Sequence, residues 1–111
     1  MIQKIICDYL TDKLEVISLP EEPEETIPQY VIVEKTGGGS KNYINSSVVA
    51  IKSYDTSKYG ACMLNERVKE VMTNIICLPK IISARLNSDY EYNDSTKKKY
   101  RYQAVYEIKH Y

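Results

Sequence analysis

Apolar residues recur along this chain with two different periods, and the switch between them divides it into elements. Ile2, Ile5, Ile6, Tyr9 and Leu10 share one face at helical spacing, with Lys4, Asp8, Thr11 and Asp12 opposite, which predicts an amphipathic helix over residues 2–14. A short strand over 15–19 should follow. The stretch PEEPEETIP at 20–28 has no apolar period. Its three prolines lack backbone donors and its four glutamates repel one another, so it reads as an extended solvated loop. Residues 30–33 and 48–51 are apolar runs that predict two strands of a hairpin.

The connection between those strands carries Gly37, Gly38 and Gly39 in succession and no hydrophobic cluster of its own. Glycine reaches positive φ freely but loses more entropy than other residues when ordered. A long loop that bears this cost often touches something else, although a hairpin tip without a partner gives the same sequence. Beyond it, Asp55 or Ser57 offers a helix N-cap. Ala61, Leu64, Val68, Val71, Met72 and Ile75 form the apolar stripe of that second helix, which Leu78-Pro79 closes. Gly60 in its first turn weakens it by about 1 kcal/mol relative to alanine. Met63 falls on the polar side with Glu66, Arg67 and Glu70 and is a candidate contact residue, though single exposed apolar side chains are common.

The last third alternates with period two. Ile82, Ala84, Leu86, Ser88, Tyr90 and Tyr92 are predicted to share one face of a strand, and Tyr100, Tyr102, Ala104, Tyr106 and Ile108 one face of the closing strand. A polar turn at 93–96 with Lys97, Lys98 and Lys99 joins them. The element order α-β-β-β-α-β-β predicts a single α+β domain over residues 1–111. Its antiparallel sheet should have about four to five strands, with two helices packed on one face.

Composition narrows the classes. At 111 residues the chain buries about two-thirds of its unfolded surface and folds without staples. Lysine and arginine balance aspartate and glutamate, so no global field draws the protein to nucleic acid or an anionic membrane. No apolar run approaches a membrane span, and the N-terminal stretch does not read as a signal peptide. Three cysteines with no C-x-x-C pair argue against a disulfide framework and for a reducing cytosol. Eleven tyrosines and no phenylalanine or tryptophan suit half-wet surfaces, but a skewed genomic composition produces the same bias.

Candidate chemistry is sparse. Gly39-Ser40-Lys41 is followed by Asn42 and a strand-like run, so the backbone cradle and helix N-terminus of a P-loop are missing. The single histidine, His110, is penultimate, where chains usually fray, which removes Ser-His-Asp and Cys-His arrangements and a His-rich zinc site. Cys7, Cys62 and Cys77 each read as small packing residues. No catalytic group, cofactor site or metal site is expected. Lys97, Lys98, Lys99 and Arg101, interleaved with Tyr100 and Tyr102, imitate a nucleic-acid patch, but one local cluster on a neutral domain is usually a solubilising tip.

Three segments carry a family resemblance. They are the short N-terminal helix and acidic proline-rich loop leading to YVIVEKTGGGSKNY; the strand SSVVAIKSY running into a helix with the pattern Y-x-A-x-x-L-x-x-x-V; and the ending YEYNDSTKKKYRYQAVYEI. In this order the chain resembles the small tail-terminator and head–tail joining proteins of tailed phages and prophages. It departs from them in having Tyr54 where tryptophan often precedes the central helix, and Lys97, Lys98 and Lys99 where glycine or proline is frequent in the turn. The resemblance implies a non-enzymatic ring, usually a hexamer, that caps the tail tube or joins it to the capsid connector. The protein would be made in the bacterial host cytoplasm and end at the head–tail junction or tail. Its partners would be copies of itself and tail-tube or connector proteins, reached through Gly37, Gly38, Gly39, Lys41, Met63, Lys97, Lys98, Lys99 and Arg101, with the acidic 21–25 segment facing a basic partner. The alternative is a small nucleic-acid-binding adaptor using the basic 97–101 hairpin.

Overall fold

The computed structural model describes residues 1–91 and 100–111. Helix α1 (Ile2–Leu14) is followed by strands β1 (Ser18–Leu19), β2 (Tyr30–Lys41) and β3 (Ile44–Asp55), helix α2 (Lys58–Met72), a 3-10 turn (Ile75–Cys77), and strands β4 (Ile81–Glu91) and β5 (Tyr100–His110). The sheet order is β1-β2-β3-β5-β4. This is the α+β architecture expected, in the expected order. The sheet is mixed, however, because β1 pairs with β2 in parallel. Glu15 ends α1 in the left-handed region, and its N–H donates to the Thr11 carbonyl. The chain then needs a crossover to return alongside itself, and residues 20–29, poor in backbone donors and rich in repelling acids, supply one without entering the sheet.

Both helices cover the same face. Ile6, Leu10 and Leu14 of α1 and Leu64, Val68 and Met72 of α2 close over Val31, Val33, Val49, Ile51, Ala104, Tyr106 and Ile108 in one core. Ser57 caps α2, its Oγ accepting from Gly60 N at 3.0 Å. The helix stops at Met72, short of Leu78-Pro79, and Ile75 completes the stripe from the 3-10 turn. Tyr9 donates its hydroxyl to the Val71 carbonyl at 2.6 Å, which locks α1 to the end of α2.

One expectation about strand faces and one about the strand end need correction. In β4, register shifts between Ile81 and Ser83 and between Leu86 and Ser88 insert one extra residue each. Each insertion flips the alternation. Ala84 and Leu86 pair with the helix-side Ile108 and Tyr106, whereas Ser88 and Tyr90 pair with Val105 and Gln103 on the other face. The closing strand keeps its period: Ala104, Tyr106 and Ile108 are buried under the helices. His110 is not frayed. It ends β5 at 8 % exposure, with Nε2 2.8 Å from the Ser47 hydroxyl. Ser47 is itself 1 % exposed, so this Ser–His contact holds the strand end and has no access to a substrate. Residues 92–99, which include the predicted polar turn, lie outside the described residues.

Candidate interaction surface

Among the described residues no helix covers the second face of the sheet. The register places Tyr30 opposite Tyr54, and Tyr54 opposite Arg101, at one end of it. The two tyrosine rings stack with centroids 4.6 Å apart and planes 10° from parallel. Arg101 lies 5.5 Å from the Tyr54 ring centre and donates from Nη1 to its hydroxyl at 2.8 Å. Stacking and cation–π attraction thus act on one pair of faces. Tyr30 donates to Glu22 at 3.1 Å, and Leu19 and Ile27 pack over Tyr30, Ile32 and Tyr54 as a second small core. Burial pushes both tyrosine hydroxyls up, with Glu22 reinforcing the shift at Tyr30 and Arg101 opposing it at Tyr54. The 20–28 segment is therefore not merely a solvated loop. Ile27 and Glu22 pin it across the sheet, while Glu21, Glu24 and Glu25 remain exposed.

The other end of this face holds the glycines, and here the sequence expectation fails most clearly. Gly37, Gly38 and Gly39 lie within β2, paired with Val48, Ser47 and Ser46, and none has positive φ. The turn is only Asn42 and Tyr43, with φ of 52° and 66°. Positive φ at both central residues is the signature of a type I′ hairpin, whose twist matches that of the strands. A register shift between Lys35 and Gly37 leaves Thr36 as the extra residue, its hydroxyl donating to the Val48 carbonyl at 3.3 Å. Gly38 has a packing reason, since an added Cβ would sit 2.8 Å from the Ser46 carbonyl oxygen. Gly37 and Gly39 have none: a Cβ would make ordinary contact with Val48 at the first and meet nothing within 4 Å at the second.

A shallow groove of about 500 Å³ lies beside Gly39, walled by Lys41, Asn42, Ile44, Ser46 and Lys109. Glu107 at its edge is paired with Arg85 at 3.1 Å. Lys41 and Lys109 have no ion pair among the described residues. Tyr43 at the tip is 96 % exposed although a bulky residue with φ near 60° is strained, and Ile44 beside it is also exposed. On the edge side, β1 pairs with β2 only at Val31 and Ile32, and among the described residues no strand continues that pairing along Gly37–Lys41.

Of the residues singled out from sequence, the structure brings Gly39 and Lys41 to this groove, with Gly37 on the same face of β2 but outside the groove lining. Arg101 sits with the tyrosine stack, eight register positions from Lys109 and about 26 Å away. Met63 is exposed as expected, on α2, which covers the opposite face. Lys97, Lys98 and Lys99 lie outside the described residues. Tyr30, Tyr43 and Lys109 are not among the contact residues expected from sequence, and Tyr54 stands out there only as a departure from the family pattern. For Tyr30 a signal existed: the unbroken run YVIV lacks alternation, as a strand buried on both faces does.

The cysteines separate by environment. Cys7 is buried, and burial first, then the Asp8 charge, raises its thiol to about 11. Cys77, expected to be a packing residue, is exposed because the chain leaves the helical stripe at Asn74 and turns through the 3-10 segment. No group of His, Cys, Asp or Glu among the described residues could hold a metal ion, and no helix there is long and apolar enough to cross a membrane. Comparison with known proteins gives no matching family model and no matching curated sequence.

Proposed function

We propose that this chain is a structural morphogenesis protein of a tailed phage or prophage, forming a ring that ends the tail tube or joins it to the capsid connector. The observation that carries the reading is the uncovered sheet face. Along the 12-residue strands β2 and β3 it is ordered at one end by the Tyr30–Tyr54–Arg101 stack, which the 20–28 segment covers, and open at the other with unexplained glycines and an exposed tyrosine. A closed ring requires heterologous contacts, in which one patch meets a different patch on its neighbour, and the two ends of this face differ in the required way. The resemblance of the three sequence segments to tail-terminator and head–tail joining proteins supplies the biological setting.

Arg101 favours this reading over a nucleic-acid adaptor. Its guanidinium is tied to the Tyr54 ring and hydroxyl, where it orders the fold, and is less available to a phosphate. Deleting the gene from an inducible prophage tests the proposal. An uncapped tube should grow to overlong tails if the protein is a terminator, and heads should lack tails if it is a joining protein. Normal infectious particles would refute both. Retention on DNA at low ionic strength that salt abolishes would instead support the adaptor.

A further inference from the structure

The open face has an acidic end and a basic end. Glu21, Glu24 and Glu25 are exposed on the 20–28 segment, none with an ion pair among the described residues. That segment lies over the start of β2. Lys41 and Lys109, also without ion pairs there, wall the groove at the far end of the same strand, about 36 Å away at 3.3 Å per residue. Within one molecule these charges cannot meet. Between two molecules aligned head to tail they fall together.

The open face beside the groove leaves room for a second backbone. Gly37 and Gly39 present bare backbone to the open face although neither φ nor internal packing demands glycine there. Glycine within a strand commonly marks the close approach of another backbone. The proline-containing 20–28 segment bends at 20–21, 24–25 and 28, presents its exposed acids outward, and carries few donors that need partners.

We propose that the acidic 20–28 segment of one copy lies in the Gly39–Lys41–Lys109 groove of the next, as the repeating contact of the assembly. This rests on the self-assembly reading above and adds to it which surface meets which. The contact is heterologous, so it propagates and closes only at a fixed number of copies.

Charge exchange in the full-length chain tests it by sedimentation velocity at low ionic strength. One variant carries Glu21→Lys, Glu24→Lys and Glu25→Lys; the other carries Lys41→Glu and Lys109→Glu. Each alone should self-associate roughly thirtyfold more weakly than wild type, from about two exposed attractions turned into repulsions. An equimolar mixture should recover assembly, because each variant's segment then meets a groove of opposite charge. Gly37→Ala with Gly39→Ala should raise the melting temperature of the monomer yet weaken association, since the added methyls stand on the open face in and beside the groove. If wild type assembles and the reversals or the alanines change nothing, this contact is wrong while the ring stands. If mixing fails to restore what each reversal lost, the pairing of these two surfaces is also wrong. Wild type that stays monomeric at every concentration overturns both.

Discussion

Replacing Gly60 with alanine separates a propensity argument from a packing one. In an ordinary helix the change gains about 1 kcal/mol. Here the new methyl would lie 2.5 Å from Asp55 Oδ2, 2.6 Å from its Cγ and 2.9 Å from the Ser57 hydroxyl. Asp55 cannot swing aside cheaply. Its Oδ1 accepts from Thr56 N at 2.6 Å, and its Oδ2 accepts from Gln29 Nε2 at 3.0 Å, tying the end of β3 to the start of β2. Disturbing these bonds costs about 1 kcal/mol each, and loosening the Ser57 cap costs about 1 kcal/mol more. Set against the helix gain, Gly60→Ala should destabilise by about 1–2 kcal/mol, a fall of roughly 4–8 °C in Tm. Urea unfolding followed by circular dichroism measures it, read as a shift in midpoint at constant slope. In an Asp55→Ala background the same substitution should cost nothing or stabilise. Stabilisation of the single variant, or a cost that persists without Asp55, would refute the reasoning.

Tyr43→Gly should stabilise the isolated protein by about 1 kcal/mol, because it relieves a bulky residue at φ 66° in the hairpin turn, and should weaken assembly if the tip is a contact; thermal melts and sedimentation read the two effects. Tyr54→Ala should cost on the order of 3 kcal/mol, since it removes a buried ring together with its Tyr30 and Arg101 contacts; a loss under 1 kcal/mol in urea unfolding would show that the stack is incidental. Thiol titration of the native protein at pH 8 should find Cys77 fast and Cys7 protected, with Cys7 labelling rising as pH approaches about 11. The raised folded-state value of Cys7 also sets a sign. Its contribution to stability is complete below the ordinary thiol range and is lost as pH climbs toward about 11.

The helices were legible because their apolar stripes follow the 3.6-residue period without interruption, as Ile2, Ile6 and Leu10 show. The reach of the β2–β3 hairpin was not. Thr36 to Lys41 offers no side-chain alternation, and the pairing there is made by backbone alone and enforced by the two-residue turn. The faces of β4 were misread because Ile82 and Asn87 are bulge residues, and a bulge leaves no mark in an alternating pattern except the inversion beyond it. A penultimate residue such as His110 is expected to fray. What holds it is Ser47, 63 residues earlier, a long-range contact that no local pattern announces. At the candidate surface, composition alone marks the glycines and Lys41, and what groups them with other charges is topology. The register puts Lys109 of β5 beside them and sends the acids of 20–28 to the opposite end.

Negative-stain electron microscopy of the purified full-length protein, across a concentration series, asks directly whether copies of this chain build a closed object. Annuli of uniform diameter that accumulate with concentration and dissolve in high salt are the expected images. A field of isolated 44 × 25 × 24 Å particles at every concentration and ionic strength would contradict ring assembly by this polypeptide.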